Sequence, residues 1–215
     1  MDLFFAPLAC SMSARIALAE AGAAVNFIEV DPHTKRLLAT GEDYRAINPL
    51  GYVPALRLDD GTVLTENAAI LQYIADAHPA AELAPPKSDP LARTRLRQWL
   101  SFIGTELHKA LFMPLVGRET PPEVRAWTAR KYSSRLVYLD DKLNGREFLL
   151  DRFSVADAYL TTILNWTQAT PEIDLDAYPN VKAYLERMRQ RPSVAAALGT
   201  EAPLFQAEIA RSKAA

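Results

Sequence analysis

The apolar pattern of this chain changes character once, near residue 80, and that change restricts the fold more than any other feature. Before it, short β-branched and aromatic runs alternate with helical periods. A Pro-rich stretch follows, Leu83-Ala84-Pro85-Pro86-Lys87, and reads as a linker. Beyond it every convincing apolar period is helical. The pattern divides the chain into an α/β domain at 1–80, a linker at 81–88 and an all-helical domain at 89–215.

The first part can be read element by element. Leu3–Ala6 is a short apolar run of the buried-strand type, broken by Pro7 and Leu8. Ser11 or Ser13 offers an N-cap for a helix at Ala14–Ala21, which Gly22 stops. Val25–Val30 is a second strand, and Asp31–Gly41 a polar connection carrying Lys35 and Arg36. Asp43–Ile47 reads as a short helix ended by Asn48-Pro49. Val53–Leu58 and Val63–Thr65 read as strands joined by the turn Asp59–Thr62. A helix at Glu66–Ala77 closes the series. The order is βαβαββα, and the opening β-α-β unit calls for two parallel strands. In the second part, helices are expected at Pro90–Leu111, at Pro121–Asn144, from Ser154, and at Pro179–Gln190, with one short helix in the tail from Ser193. Ser154-Val155-Ala156-Asp157 resembles a capping box with Asp in the fourth position.

Composition excludes several classes. Twenty-four basic against 26 acidic residues give a net charge of −2, which is no footprint for nucleic acid. The imbalance is local: positions 1–80 carry 5 basic and 10 acidic residues. No apolar stretch approaches the roughly 18 residues of a membrane span. The N-terminus has neither the basic lead nor the apolar run of a secretory signal. A single cysteine permits no intrachain disulfide and argues against a structural zinc site. A reducing cytoplasm fits this usage.

Four places could carry chemistry. Cys10 follows a strand and precedes a helix, where a thiolate gains from the positive helix end and its open N–H groups. The run Cys10-Ser11-Met12-Ser13 lacks the second thiol of a C-x-x-C, so only one-thiol chemistry is open to it. The other use of a lone cysteine is as buried apolar packing. Val53-Pro54 begins a strand region, where proline marks a first residue, an edge or a cis bond. A cis bond would turn the Val53 backbone outward, ready to pair with an extended peptide. Thr65-Glu66-Asn67 opens a helix: Glu66 is either an ordinary acidic cap or the partner of a ligand ammonium, with Asn67 and the open N–H groups holding a carboxylate. In the helix from Pro90, Leu96, Leu100, Ile103 and Leu107 form an apolar stripe. Ser101, Thr105, His108 and Phe112 run along the other side, either solvated or lining a cleft.

Taken together, the βαβαββα order, Cys10 after the first strand, Val53-Pro54-Ala55-Leu56 and Thr65-Glu66-Asn67 resemble the thioredoxin-like domain of glutathione S-transferases. Phe153-Ser154-Val155-Ala156-Asp157-Ala158-Tyr159 is similar to the capping box of that family's helical domain. Leu3–Ser11 and Thr105-Glu106-Leu107-His108-Lys109 resemble its bacterial beta class. The resemblance spans about 1–200. It implies glutathione as co-substrate, no metal, and a homodimer. It implies that the Val53 backbone pairs with the cysteinyl part, that Glu66 and Asn67 hold the γ-glutamyl end, and that Lys35 meets the glycine carboxylate. Cys10 and His108 would flank the sulfur. Ser101, Thr105 and Glu106 would contribute across the dimer interface, although that class commonly has Asn where Ser101 stands. It often has Gly or Ser at Asn67, a difference of small effect if the backbone N–H binds.

Three activities remain open on these residues. The first is conjugation of the glutathione thiolate to soft hydrophobic electrophiles, with Phe5, Phe112, Met113 and Trp166 forming the electrophile pocket. The second is thiol–disulfide exchange through Cys10. The third is binding of glutathione or a hydrophobic ligand without turnover.

Overall fold

The computed structural model describes residues 1–117 and 119–214. Two compact units result: Met1–Leu83 together with the segment from Pro192 onward, and Ala84–Arg191.

The first unit is built on four strands: β1 (Asp2–Phe5), β2 (Asn26–Glu29), β3 (Ala55–Arg57) and β4 (Val63–Leu64), in the order β2-β1-β3-β4. β1 runs parallel to β2, with Leu3 opposite Phe27, and antiparallel to β3, with Leu3 opposite Leu56. β1 is interior and its Leu3, Phe4 and Phe5 are buried, as a continuous apolar run predicts. One face of the sheet closes over Phe4, Val30, Leu37, Tyr44 and Ala55.

The crossover helix α1 spans Met12–Glu20, and all residues from Met12 to Leu18 are buried. It starts two residues before the expected Ala14. Ser11 is its N-cap by position, yet its hydroxyl donates to the Ala6 carbonyl instead of accepting from the helix. Gly22, at φ +62°, stops the helix as expected, with the Ala23 N–H reaching Leu18 O and the Gly22 N–H reaching Ala19 O. Helix α2 spans Asn67–Ala77, and a single 3₁₀ turn at Tyr44–Ala46 stands where the short helix was expected.

The second unit opens with α3 (Pro90–Phe102), which continues as a π-helical stretch at Ile103–Phe112 and ends in α4 (Met113–Val116). Then come α5 (Pro122–Leu143), α6 (Val155–Leu164) and α7 (Pro179–Arg189). Every residue of α6 is buried, so it is the axis of this unit. The capping box is present in full: the Ser154 side chain caps the helix and the Asp157 carboxylate returns to the Ser154 N–H.

The tail departs from expectation in length and in place. α8 runs from Pro192 to Ala214 with Pro203 inside it, in place of one short helix. It belongs to the first unit, whereas the pattern put 89–215 into one helical domain. Gly199 and Pro203 read as breakers locally. What holds the helix is distant in sequence: Glu201 meets Arg15, Arg211 meets Glu29, and Ser193 meets Glu20.

Candidate active site

In the first unit a chain of short contacts joins the residues singled out near the N-terminus. β1 delivers the loop Ala6–Cys10, in which Leu8 takes a left-handed φ of 54°. Cys10 is 9 % exposed and its Sγ lies 3.3 Å from the Val53 carbonyl oxygen, a bond that only the protonated thiol can donate. The Met12 and Ser13 N–H groups are taken by Ala9 O and Cys10 O, so the helix end offers fewer open donors than expected. Ser13, in the place of a second thiol, donates to Cys10 O at 2.6 Å and is hydrogen-bonded to Asn67.

Val53-Pro54 is the cis peptide bond that the proline suggested. The carbonyl before it, Tyr52 O, accepts from the Tyr44 hydroxyl at 2.9 Å and from Asn48 Nδ2 at 2.7 Å. In a trans peptide the carbonyl and the next N–H point oppositely, so this grip turns the Val53 N–H away from Tyr44 and Asn48. Burial pushes the Tyr44 phenol far up, so this donor stays protonated.

Glu66 is exposed and held at φ 66°, ψ 112°, a region that L residues rarely adopt. The Ala69 and Ile70 N–H groups both turn to Glu66 O, which leaves those of Asn67 and Ala68 as the open donors at the start of α2. The Asn67 side chain is buried against Ser13, so the backbone at this position is what faces outward. Lys35 is half-buried, and its stem lies so close over Gly51 that a Cβ there would come within 3.3 Å. Its ammonium stands 5.9 Å from the Tyr52 ring, and burial, with Arg45 second, draws its pKa below the usual lysine value. Cys10 is thus joined to Val53 directly and to Asn67 through Ser13, while Lys35 lies beside Gly51 and Tyr52 and Glu66 precedes Asn67 in the chain.

In the second unit the stripe Ser101, Thr105, His108, Phe112 does not stay on one face. Ser101 and Thr105 are exposed, while His108 and Phe112 are buried. The π winding from Ile103 turns less per residue than an α-helix, and extrapolation at 3.6 residues per turn fails there. Glu106 is held by Arg135 of α5 at 2.8 Å. His108 packs edge-on against Trp166, ring centroids 5.1 Å apart, and its Nδ1 is 2.6 Å from the Tyr159 hydroxyl. Phe112 also meets Trp166, and Met113 is 38 % exposed. The Phe5 ring is buried against Phe27 and the Arg15 guanidinium. Sequence reasoning gave Tyr44, Asn48 and Tyr159 no role in the site, and read Ser13 only as a helix cap and as the place of the missing second thiol; Asn48 carried a signal in the Asn-Pro turn.

Burial, with Lys109 second, lowers the His108 pKa to about 4. An unfolded histidine takes its proton near pH 6.5, so the fold favours the neutral ring. Stability tied to that ring is complete above pH 6.5 and is lost as the pH falls toward 4. The window is worth about 3 kcal/mol. Urea unfolding of the parent and His108→Gln between pH 4 and 7 checks this: the parent should lose stability more steeply by about that amount.

Residues 9–77 match the glutathione S-transferase N-terminal domain, and residues 105–192 the C-terminal domain of the same family. Glutathione S-transferase GstA of Escherichia coli O157:H7 is 41 % identical over 202 residues, covering 94 % of this chain and 98 % of that protein. The chain belongs to the glutathione S-transferase family. Among solved structures, a sphingomonad glutathione S-transferase complexed with glutathione is 46 % identical with a TM-score of 0.87, covering 94 % and 99 % of the two chains. The bacterial beta class glutathione S-transferase of Sphingomonas chungbukensis is 46 % identical with a TM-score of 0.88, covering 94 % and 98 %. The class suggested by the motifs around Cys10 and His108 is therefore that of a close structural relative, and the thioredoxin-like domain followed by a helical domain is the fold of this family.

Proposed function

We propose that this transferase conjugates the thiol of glutathione to soft, hydrophobic electrophiles, as a cytoplasmic homodimer serving detoxification. The observation that carries the reading is this group in the first unit, where each part of glutathione would have a complementary partner. The Val53 backbone suits the cysteinyl amide. Glu66 suits the γ-glutamyl ammonium, and the open N–H groups of Asn67 and Ala68 suit its carboxylate. The Lys35 ammonium suits the glycine carboxylate. Glutathione is anionic and this unit is acidic, so Lys35 and the start of α2 supply the local positive potential that binding needs.

Conjugation then requires a thiolate beside a desolvated apolar surface. His108, with Phe112, Met113 and Trp166 around it, supplies a neutral hydrogen-bonding group and that surface. Ser101 and Thr105 are exposed, in keeping with contacts to a second subunit, while Glu106 would reach there from its ion pair with Arg135. Large apolar side chains are also exposed on α3 and α5, Leu91 at 62 % and Val137 at 59 %, and a subunit interface would cover such surface. No helix among the described residues is long and apolar enough to cross a membrane.

A second reading, thiol exchange, is favoured by the Cys10 thiol standing 3.3 Å from the Val53 carbonyl, beside the expected cysteinyl position. Steady-state conjugation of glutathione with an aryl chloride separates the two. His108→Ala should lower kcat by about 10²-fold, the usual worth of a positioned acid–base or hydrogen-bonding side chain. Cys10→Ala should still conjugate. No turnover across a panel of electrophiles by the parent would leave a binding protein. A Cys10 adduct after treatment with glutathione disulfide, with conjugation abolished in Cys10→Ala, would put thiol exchange first.

A further inference from the structure

His108 is the only histidine of the chain buried in the structure, His33 and His78 being exposed or half-exposed. Its imidazole is neutral, so the side of the ring that carries the proton decides what the other side can do. Two observations bear on this. The His108 Nδ1 to Tyr159 hydroxyl distance is 2.6 Å, a hydrogen bond in which the tautomer of the ring decides which group donates. The hydrogen bond described for the ring is at Nδ1, which leaves Nε2 as the nitrogen that can meet a ligand. Tyr159 and Trp166 meet the ring edge-on, at interplanar angles of 86° and 72°.

We propose that Tyr159 is a positioning residue: its hydroxyl donates to Nδ1 of His108 and holds the proton on Nε2, so that His108 faces its ligand as a hydrogen-bond donor and never as a base. The donor on Nε2 suits a sulfur that bears negative charge, the state in which glutathione attacks an electrophile. Tyr159 itself touches no substrate. It is 3 % exposed and projects from α6, the most buried helix of its unit, so its hydroxyl is held by the packing of that helix. Burial keeps the imidazole uncharged, and Lys109, next in sequence, acts in the same direction. The inference rests on the reading that His108 stands beside the glutathione sulfur.

The test uses the whole chain. Long-range ¹⁵N–¹H spectra report the tautomer of each of its 3 histidines directly, without any activity. The parent near pH 7 should show His108 protonated on Nε2. Tyr159→Phe, which keeps the ring and its packing, should show a mixture of tautomers. Its kcat for conjugation should fall about five- to tenfold, the worth of one hydrogen bond, with the KM for glutathione unchanged. Adding Tyr159→Phe to His108→Ala should lower kcat no further. A parent protonated on Nδ1 overturns the proposal. So does a Tyr159→Phe spectrum identical to the parent's. A tautomer that shifts while kcat stays at the parent level overturns the catalytic part alone, and full activity in His108→Ala would then locate the failure in the placing of His108 beside the sulfur.

Discussion

Asp157→Ala should destabilise the protein by about 4 kcal/mol or more, close to the whole stability of an ordinary domain. The carboxylate is fully enclosed, and one oxygen accepts from the Leu149 N–H and the Tyr184 hydroxyl, each at 2.9 Å. The other accepts from the Ser154 N–H and hydroxyl, also at 2.9 Å. Burial pushes the carboxyl up, and these donors pull against it. Alanine leaves all of them buried without an acceptor, each at roughly 1–3 kcal/mol. The damage falls on three elements at once, because Leu149 lies in the loop before α6, Ser154 caps that helix, and Tyr184 belongs to α7. Asp157→Asn keeps the shape but turns one acceptor into a donor, so about half the loss is expected. Urea unfolding of both variants is the measurement. An Asp157→Ala midpoint equal to the parent's would mean that water replaces the carboxylate.

Glu201→Ala should come second, at about 3–5 kcal/mol, the usual result of stripping one partner from a buried ion pair. Glu201 is enclosed in α8 and takes the Arg15 Nε–H at 2.6 Å on one oxygen and the Leu8 N–H at 2.7 Å on the other. Burial raises its pKa and Arg15 opposes that. Arg15 is 8 % exposed and lies over the Phe27 ring at 3.7 Å, so removing its partner leaves a largely buried charge. Arg15→Met with Glu201→Leu should cost less than Glu201→Ala alone, since no charge is left behind. Activity should distinguish the two halves of the contact. Leu8 stands two residues before Cys10 in an unfavoured left-handed conformation that the Glu201 carboxylate holds. A stable double variant with a raised KM for glutathione would assign that conformation to binding. A double variant as unstable as Glu201→Ala would place the loss in packing rather than in charge.

The sequence is most informative where structure is local. β1, β2 and the hairpin of β3 and β4 are short apolar runs bounded by Pro, Gly and Asp, and they stand within a residue or two of where the pattern puts them. The Ser154–Asp157 box is legible because both of its reciprocal bonds lie within four positions of the chain. Gly22 is legible because only a left-handed residue ends α1 that way. Legibility fails where partners are far apart. Nothing near Glu201 announces Arg15, 186 residues earlier, and so α8 reads as a broken tail. It fails again where the helix period changes: at Ile103 the winding loosens, and the neighbours inferred for His108 at 3.6 residues per turn are not those it has. Tyr159 is legible only as part of a capping motif, because its role depends on a ring on another helix. Asn67 illustrates a third limit. Its side chain is turned inward to Ser13, and the backbone it leaves exposed has no residue signature at all.

The placing of α8 has a consequence for synthesis. The first unit is discontinuous in the chain: Met1–Leu83 emerge early, and the helix that supplies Glu201 comes only after Ala84–Arg191. At ordinary rates of translation the early strands wait roughly ten seconds for it. During that interval the Leu8 N–H lacks its acceptor and Arg15 its counter-charge. In a nascent chain, then, the loop that carries Cys10 is among the first parts made and the last to be locked.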